Sequence, residues 1–455
     1  MASRSLQSTL FSIILLSTFV SQFRTALAVT GYANAFVDPD LIVSKNLNAS
    51  TTLAQRTMQQ WATSLTEGAP WSVTFKSVTP PSGNKHDYLS YAPYYWADCS
   101  QTGNTTALTD EEARKQCNWF QRDGQINPAS RDVTDIDNFE TLGDAVLYNT
   151  ITWALQGDNT ASANAVKYIR TWFLDADTAM APNLNFAQMQ GGPDGQTGSH
   201  TGVLDLKCMV KVVNGILILR SGKSADWTSE LDGQMVGWTR EYISWLQNAP
   251  LAQEEVAAAN NHGTFFYNQL VALQILVGDR DGARGSLQAY FNGIYQHQIT
   301  ANGEQTNARL GDYIGFDGWS IKTAEGATIQ TALDFAMTIE PGQDTAEELY
   351  PNIAAVAAHY GDPNGKYGSF LLQKIGTDLA KQPYFAFNTF SVTGLPTSYG
   401  SSSIRGTATG ASGSMSTAEV PKGAAPWEQN TALSTKISWI LLGIASGIRL
   451  LPVIF

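Results

Sequence analysis

The residues best suited to chemistry lie in a few segments that break an otherwise bland pattern. Asn260-Asn261-His262-Gly263-Thr264 opens an apolar helical run that continues through Tyr267 and Gln269. Asn caps helices well, and a His in the first turn is disfavoured as a cation by the helix dipole. His262 is therefore expected to be neutral, which is the state of a competent general base. A second segment, Lys85 to Trp96, packs Lys85, His86, Tyr88, Tyr94, Tyr95 and Trp96 around Pro93. Such rings can stack on flat ligand faces while Lys85 and His86 attract carboxylates; the alternative is an aromatic loop that merely packs. A third segment, Met180 to Gln188, is rich in amides and leads through a Gly-rich loop to His200. Amides such as Asn185 and Gln188 both donate and accept, as hydroxyl-rich ligands require, and His200 is a further candidate contact. Arg122-Asp123 and Arg131-Asp132 read as surface ion pairs of little energetic weight.

Helices must position these groups. Helical periodicity recurs over 52–67, 139–155, 161–174, 203–219, 231–246, 262–277, 284–298, 328–338 and 349–359. Gly157-Asp158, Gly278-Asp279 and Gly361-Asp362 punctuate helix ends, Gly as a terminator and Asp as the next cap. Helical hairpins of irregular length imply an all-α (α/α) toroid, an incomplete α/α barrel, whose cleft lies where inner helices meet long loops. Strand signals are confined to 71–78 and 384–392. One catalytic domain over 29–395 is the economical division.

The 455 residues carry a net charge of −12, which argues against a nucleic-acid partner. A polyanionic ligand would need a locally basic cleft. Residues 1–28 read as a signal peptide, with Arg4, the apolar stretch Leu10 to Val20 and an Ala26-Leu27-Ala28 cleavage site. Asn48 and Asn104 head glycosylation sequons, consistent with secretion. Of three cysteines, Cys99 and Cys117 flank a polar loop and are expected to pair, leaving Cys208 as a buried thiol in an apolar helix. Residues 396–436 form a Ser/Thr/Gly/Ala-rich stalk and spacer, and 437–455 a hydrophobic tail. That order fits a GPI signal or a membrane anchor, hence an extracellular, cell-surface protein. Oligomeric state is not legible.

The segments KHDYLSYAPYYWAD (85–98), RDGQINP (122–128), APNLNFAQ (181–188) and NNHGT (260–264) together resemble the alginate lyase family of polysaccharide lyases. The loop holding Cys99 and Cys117 resembles the variant of fungal members. The resemblance implies the toroid and cleavage of a uronate polymer, glucuronan or alginate, by removal of the C5 proton and expulsion of O4. It assigns the Asn-His pair of that site to Asn261 and His262. The family's segment R-T-x-x-x-x-Y-x-x-F is comparable to 307–316 here, which makes Tyr313 the phenolic acid/base. Asn307 stands at the offset of the family's Arg, and Arg309, closer to the Tyr, is the candidate cation. Neutralising the uronate carboxylate is what makes C5–H acidic enough to leave. No HxH, HExxH or clustered Cys/His spacing is present, so no metal or cofactor is expected. Two rival readings are a glycoside hydrolase on the same toroid, recruiting among Asp87, Asp123, Asp205 and Asp317, and a non-catalytic surface carbohydrate-binding protein.

Overall fold

The computed structural model describes residues 29, 36–103, 106–258, 260–297, 304–340 and 346–388. The expected signal peptide, the Asn104 sequon, the stalk and the hydrophobic tail lie outside these residues. Among the described residues no helix is long and apolar enough to cross a membrane.

Among the described residues fifteen helices carry the fold: α1 (Pro39–Val43), α2 (Thr52–Ser64), α3 (Asp110–Gln116), α4 (Asp135–Gln156), α5 (Asn159–Ile169), α6 (Met209–Ser221), α7 (Ser229–Asn248), α8 (Pro250–Val256), α9 (Asn261–Leu276), α10 (Arg280–Asn292), α11 (Glu304–Ile314), α12 (Ile329–Ala336), α13 (Tyr350–Tyr360), α14 (Lys366–Ile375) and α15 (Pro383–Phe387). Their contacts close a ring in the order α2, α4, α6, α9, α11, α13, α15 and back to α2. The inner members α4, α6 and α9 are apolar on almost every face, so they are buried on almost every face. Amphipathic α5 and α10 pack outside α4 and α9. The result is an all-α toroid.

The first two Gly-Asp pairs punctuate the helices as the sequence implies, whereas α14 starts from Gly365 and not from Asp362. Gly157 ends α4 at φ 74° and Asp158 caps α5 by accepting from the amides of Thr160 and Ala161. Asp279 caps α10 through the amide of Gly282, so α9 and α10 form a hairpin. Thr264 accordingly faces Tyr290, and Ser286 donates to Gln274 at 2.8 Å. The chain then reverses into α11, where Arg284 reaches the carbonyls of Ile314 and Gly315.

Both strand expectations fail. Residues 71–78 hold a short 3-10 turn, Val73–Phe75, and 384–388 belong largely to α15. The two strands among the described residues, β1 (Tyr95–Asp98) and β2 (Asn118–Gln121), pair antiparallel with Tyr95 opposite Gln121. They are too short to show alternation, and the Cys99–Cys117 disulfide staples them one residue beyond the Asp98–Asn118 pair, across the base of the connecting loop. Cys208 is buried and unpaired, and burial pushes its thiol up to about 12, so it is inert at neutral pH. Lys211 and Asp144 pair at 2.8 Å beside it, both almost fully enclosed between α4 and α6.

Candidate active site

Three elements meet at one end of the ring. A 3-10 stretch, His200–Leu206, brings His200; α8, begun by Pro250, carries Glu255 in its last turn; and the first turn of α9 brings Asn261 and His262. The side chain of Asn260 caps α9 by accepting from the amide of His262. Gly202 sits where the His200 turn crosses Ala187, since a Cβ there would lie 2.6 Å from that of Ala187. The turn packs at backbone distance, and His200 is thereby fixed.

Glu255 is wholly buried and lies between two imidazoles. Its Oε2 is 2.5 Å from His200 Nδ1, and its Oε1 is 3.0 Å from His262 Nδ1. The second contact is close but off the line of a hydrogen bond, so Oε1 and His262 Nδ1 have no other partner. A small ring rotation would complete it, and such bonds are often loose before substrate binds. Burial opposes the charge of Glu255, but the two imidazoles outweigh it and hold the carboxyl below the ordinary value. Conversely the hydrogen bond to Glu255 raises the pKa of His200. A carboxylate at Nδ1 leaves Nε2 of His262 as the lone-pair nitrogen, since the acceptor fixes the tautomer. Glu255 escaped sequence reasoning because it is adjacent to Glu254 in an ordinary charged run, and nothing in the run tells the buried acid from its exposed neighbour.

Asn261 is 1% exposed and its Oδ1 has no partner among the described residues. Asn307, buried in the first turn of the neighbouring inner helix α11, has neither Oδ1 nor Nδ2 satisfied. Buried amides without partners are rare and costly unless a ligand completes them.

Tyr313 and Arg309 do not join this cluster. Tyr313 packs against Phe36 at 5.8 Å and lies 5.9 Å from the Arg280 guanidinium, beyond the far end of α9. His262 lies in the first turn of that helix and Leu276 ends it, so a rise of 1.5 Å per residue sets the two groups about 20 Å apart. Arg309 donates to the Phe36 carbonyl at 3.1 Å and to Asn388 Oδ1. The expected His262–Tyr313 pair and the Arg309 neutraliser are thus corrected. The helix that carries these residues ends, with Tyr313, at the face opposite the site.

The expected binding residues divide. Tyr88 is fully buried and donates to Asp205 at 3.1 Å, so it supports the site and cannot stack on a ligand. Gln188 spends both ends of its amide, on Asp205 at 2.8 Å and on Thr201 at 2.8 Å. Burial raises the Asp205 carboxyl, which is held by Ser90, Gln188 and Tyr88. His86 donates from Nδ1 to the Ala179 carbonyl at 2.7 Å, and Asn185 accepts from Trp245 at 2.8 Å. These bonds tie 85–92 to 179–201 as one scaffold. Lys85 remains exposed, and Tyr94, Tyr95 and Trp96 remain partly exposed on or beside the stapled hairpin. Arg122 lies over Trp96 at 5.0 Å and over Phe120 at 4.8 Å. The four acids of the hydrolase reading are not brought together: Asp205 is buried, Asp123 is exposed just after β2, Asp87 accepts from Ser82 and Asn183, and Asp317 accepts from Ser320 beyond α11.

A search of solved structures returns an alginate lyase from Bacteroides ovatus, matched with a TM-score of 0.65 at 23% identity over 79% of this chain and 99% of that one. At that identity the likeness speaks for the fold. No match is found among curated protein sequences. The alginate lyase family model matches residues 72–308, a span that takes in the aromatic segment, the amide loop, His200, Glu255 and the Asn261-His262 pair. With more than half of its length under that model and the toroid to match, the chain belongs to the alginate lyase family of polysaccharide lyases.

Proposed function

We propose that the chain cleaves a β-linked polyuronide, glucuronan or mannuronate-rich alginate, by β-elimination at the His200–Glu255–His262 cluster. The observation that carries this reading is the buried Glu255 held between two imidazoles at 2.5 and 3.0 Å. His262 Nε2 takes the C5 proton; the C5 electron pair forms the C4=C5 double bond; O4 departs and receives a proton. In β-linked mannuronate or glucuronate the proton and O4 share a face, so one imidazole can perform both transfers. Glu255 stabilises the imidazolium that exists between them. Asn261 and His200, whose charged form Glu255 favours, meet the substrate carboxylate, the role expected of Arg309. Tyr94, Tyr95, Trp96 and Lys85 supply stacking faces and a cation for flanking sugars. In this reading the enzyme acts outside the cell, as the leader-like and anchor-like ends of the sequence suggest.

Incubation with glucuronan, polymannuronate and polyguluronate, followed by ultraviolet absorbance, tests the reading. A new absorbing unsaturated end on one of the first two, abolished in His262→Ala, is expected. Reducing ends without absorbance would mean hydrolysis, and saturable binding without any product would mean a binding protein.

A further inference from the structure

At the opposite face of the ring, away from His262, is a cavity of about 290 Å³ lined by Phe36, Arg309, Asp312, Tyr313, Trp319, His359 and Asn388 among others. Its polar groups are pinned. Arg309 is held by the Phe36 carbonyl and by Asn388; Asp312 accepts from Trp319 Nε1 at 2.8 Å; and His359 stacks on Trp319 at 4.5 Å and 13°. The backbone of Val37 beside Phe36 is clamped in turn by both ends of the Asn214 amide.

Arg309 is the unusual group. It lies deep in the protein, yet part of its side chain is open to this cavity, and it makes no ion pair with a described carboxylate within 4 Å. Two of its five N–H donors are used. Buried guanidinium groups are ordinarily matched by a carboxylate or phosphate, whose planar oxygens fit the fork. Asp312, one turn along α11, faces the same space and offers acceptors to hydroxyls, while Tyr313 and Asn388 can donate or accept. Phe36, Phe387 and the Trp319–His359 stack supply apolar walls. The volume suits one or two sugar rings.

We propose that this cavity is a second, non-catalytic site for a small hydroxylated carboxylate, a free sugar acid whose carboxylate pairs with Arg309 and whose hydroxyls meet Asp312. The choice of a uronate as occupant rests on the polyuronide reading, because uronates are the products that reading supplies; the unmatched guanidinium does not depend on it.

Calorimetric titration of the full chain with glucuronate, glucose and glutamate separates the possibilities. Saturable glucuronate binding is expected, with glucose at least tenfold weaker, and it persists in His262→Ala. Asp312→Asn and Arg309→Lys should each weaken it tenfold or more. Because Arg309 also supports the fold, Asp312→Asn, at an exposed residue, carries the test if Arg309→Lys does not fold. Absence of saturable binding, equal binding of glucose, tighter binding of glutamate, loss in His262→Ala or indifference to Asp312→Asn would each overturn the proposal. A chain that binds glucuronate here but cleaves no polyuronide would keep this site and refute the function proposed above.

Discussion

Replacing Glu255 by Gln isolates what the buried carboxylate does, because the side chain keeps its shape and one acceptor while losing its charge. At the 3.0 Å separation of Oε1 from His262 Nδ1, opposite unit charges in a medium of effective dielectric about 20 attract by about 5 kcal/mol. That attraction is felt only once His262 carries the proton taken from C5, so it belongs to the transition state and not to substrate binding. Gln retains part of it through its carbonyl oxygen, and half the loss corresponds to a fall in kcat of about 10². KM should rise as well, because the same carboxylate favours the charged form of His200 that meets the substrate. The assay is the initial rate of ultraviolet absorbance on the active polyuronide, with circular dichroism to establish folding. A folded Glu255→Gln enzyme within threefold of the parent kcat would refute the assignment of Glu255 as the residue that positions and charges His262. The same variant carries a stability signature. The folded pKa of His200 is raised above 6.5, so its share of stability is complete below about 6.5 and is lost as pH rises through the folded value. The folded pKa of Glu255 is depressed below 4.5, so its share is present above about 4.5 and is lost as pH falls through the folded value. The difference in Tm between parent and variant should therefore be greatest between about pH 4.5 and 6.5 and should narrow on either side.

Three further outcomes follow from the geometry. Tyr313→Phe should leave the rate of cleavage within about twofold, because Tyr313 packs on Phe36 at the far face; a loss of a hundredfold in the absorbance assay would return it to the mechanism. Asn261→Ala, which removes a buried amide with an unsatisfied Oδ1, should reduce kcat/KM by about 10²–10³ with folding retained, measured on the same substrate. Lys211→Met should destabilise by about 3–5 kcal/mol, since it strands the buried Asp144, and Lys211→Met combined with Asp144→Leu should recover most of that in a denaturant titration.

Much of this protein is written locally. The toroid follows from helix-long apolar stripes and from Gly-Asp pairs in which one residue terminates and the next caps, both of which depend on neighbours within a turn. The Asn260 cap and the first-turn His262 are local in the same sense, and so is the disulfide, whose cysteines flank one short loop. The short strands and α15 were misread because runs of four or five residues carry too few side chains to reveal their period.

What the chain order could not fix is which polar groups meet. Glu255 and His200 stand 55 positions apart, and only the packing of α8 against both the His200 turn and α9 brings them together. Tyr313 follows Asn307 by less than two helical turns, so its spacing looked catalytic. Yet α11 runs away from the site, and a rigid rise of 1.5 Å per residue carries its last turn to the opposite face. Sequence set the helices and their caps; the closure of the ring decided which ends share a cleft, because a rigid helix can show a given site only one of its two ends.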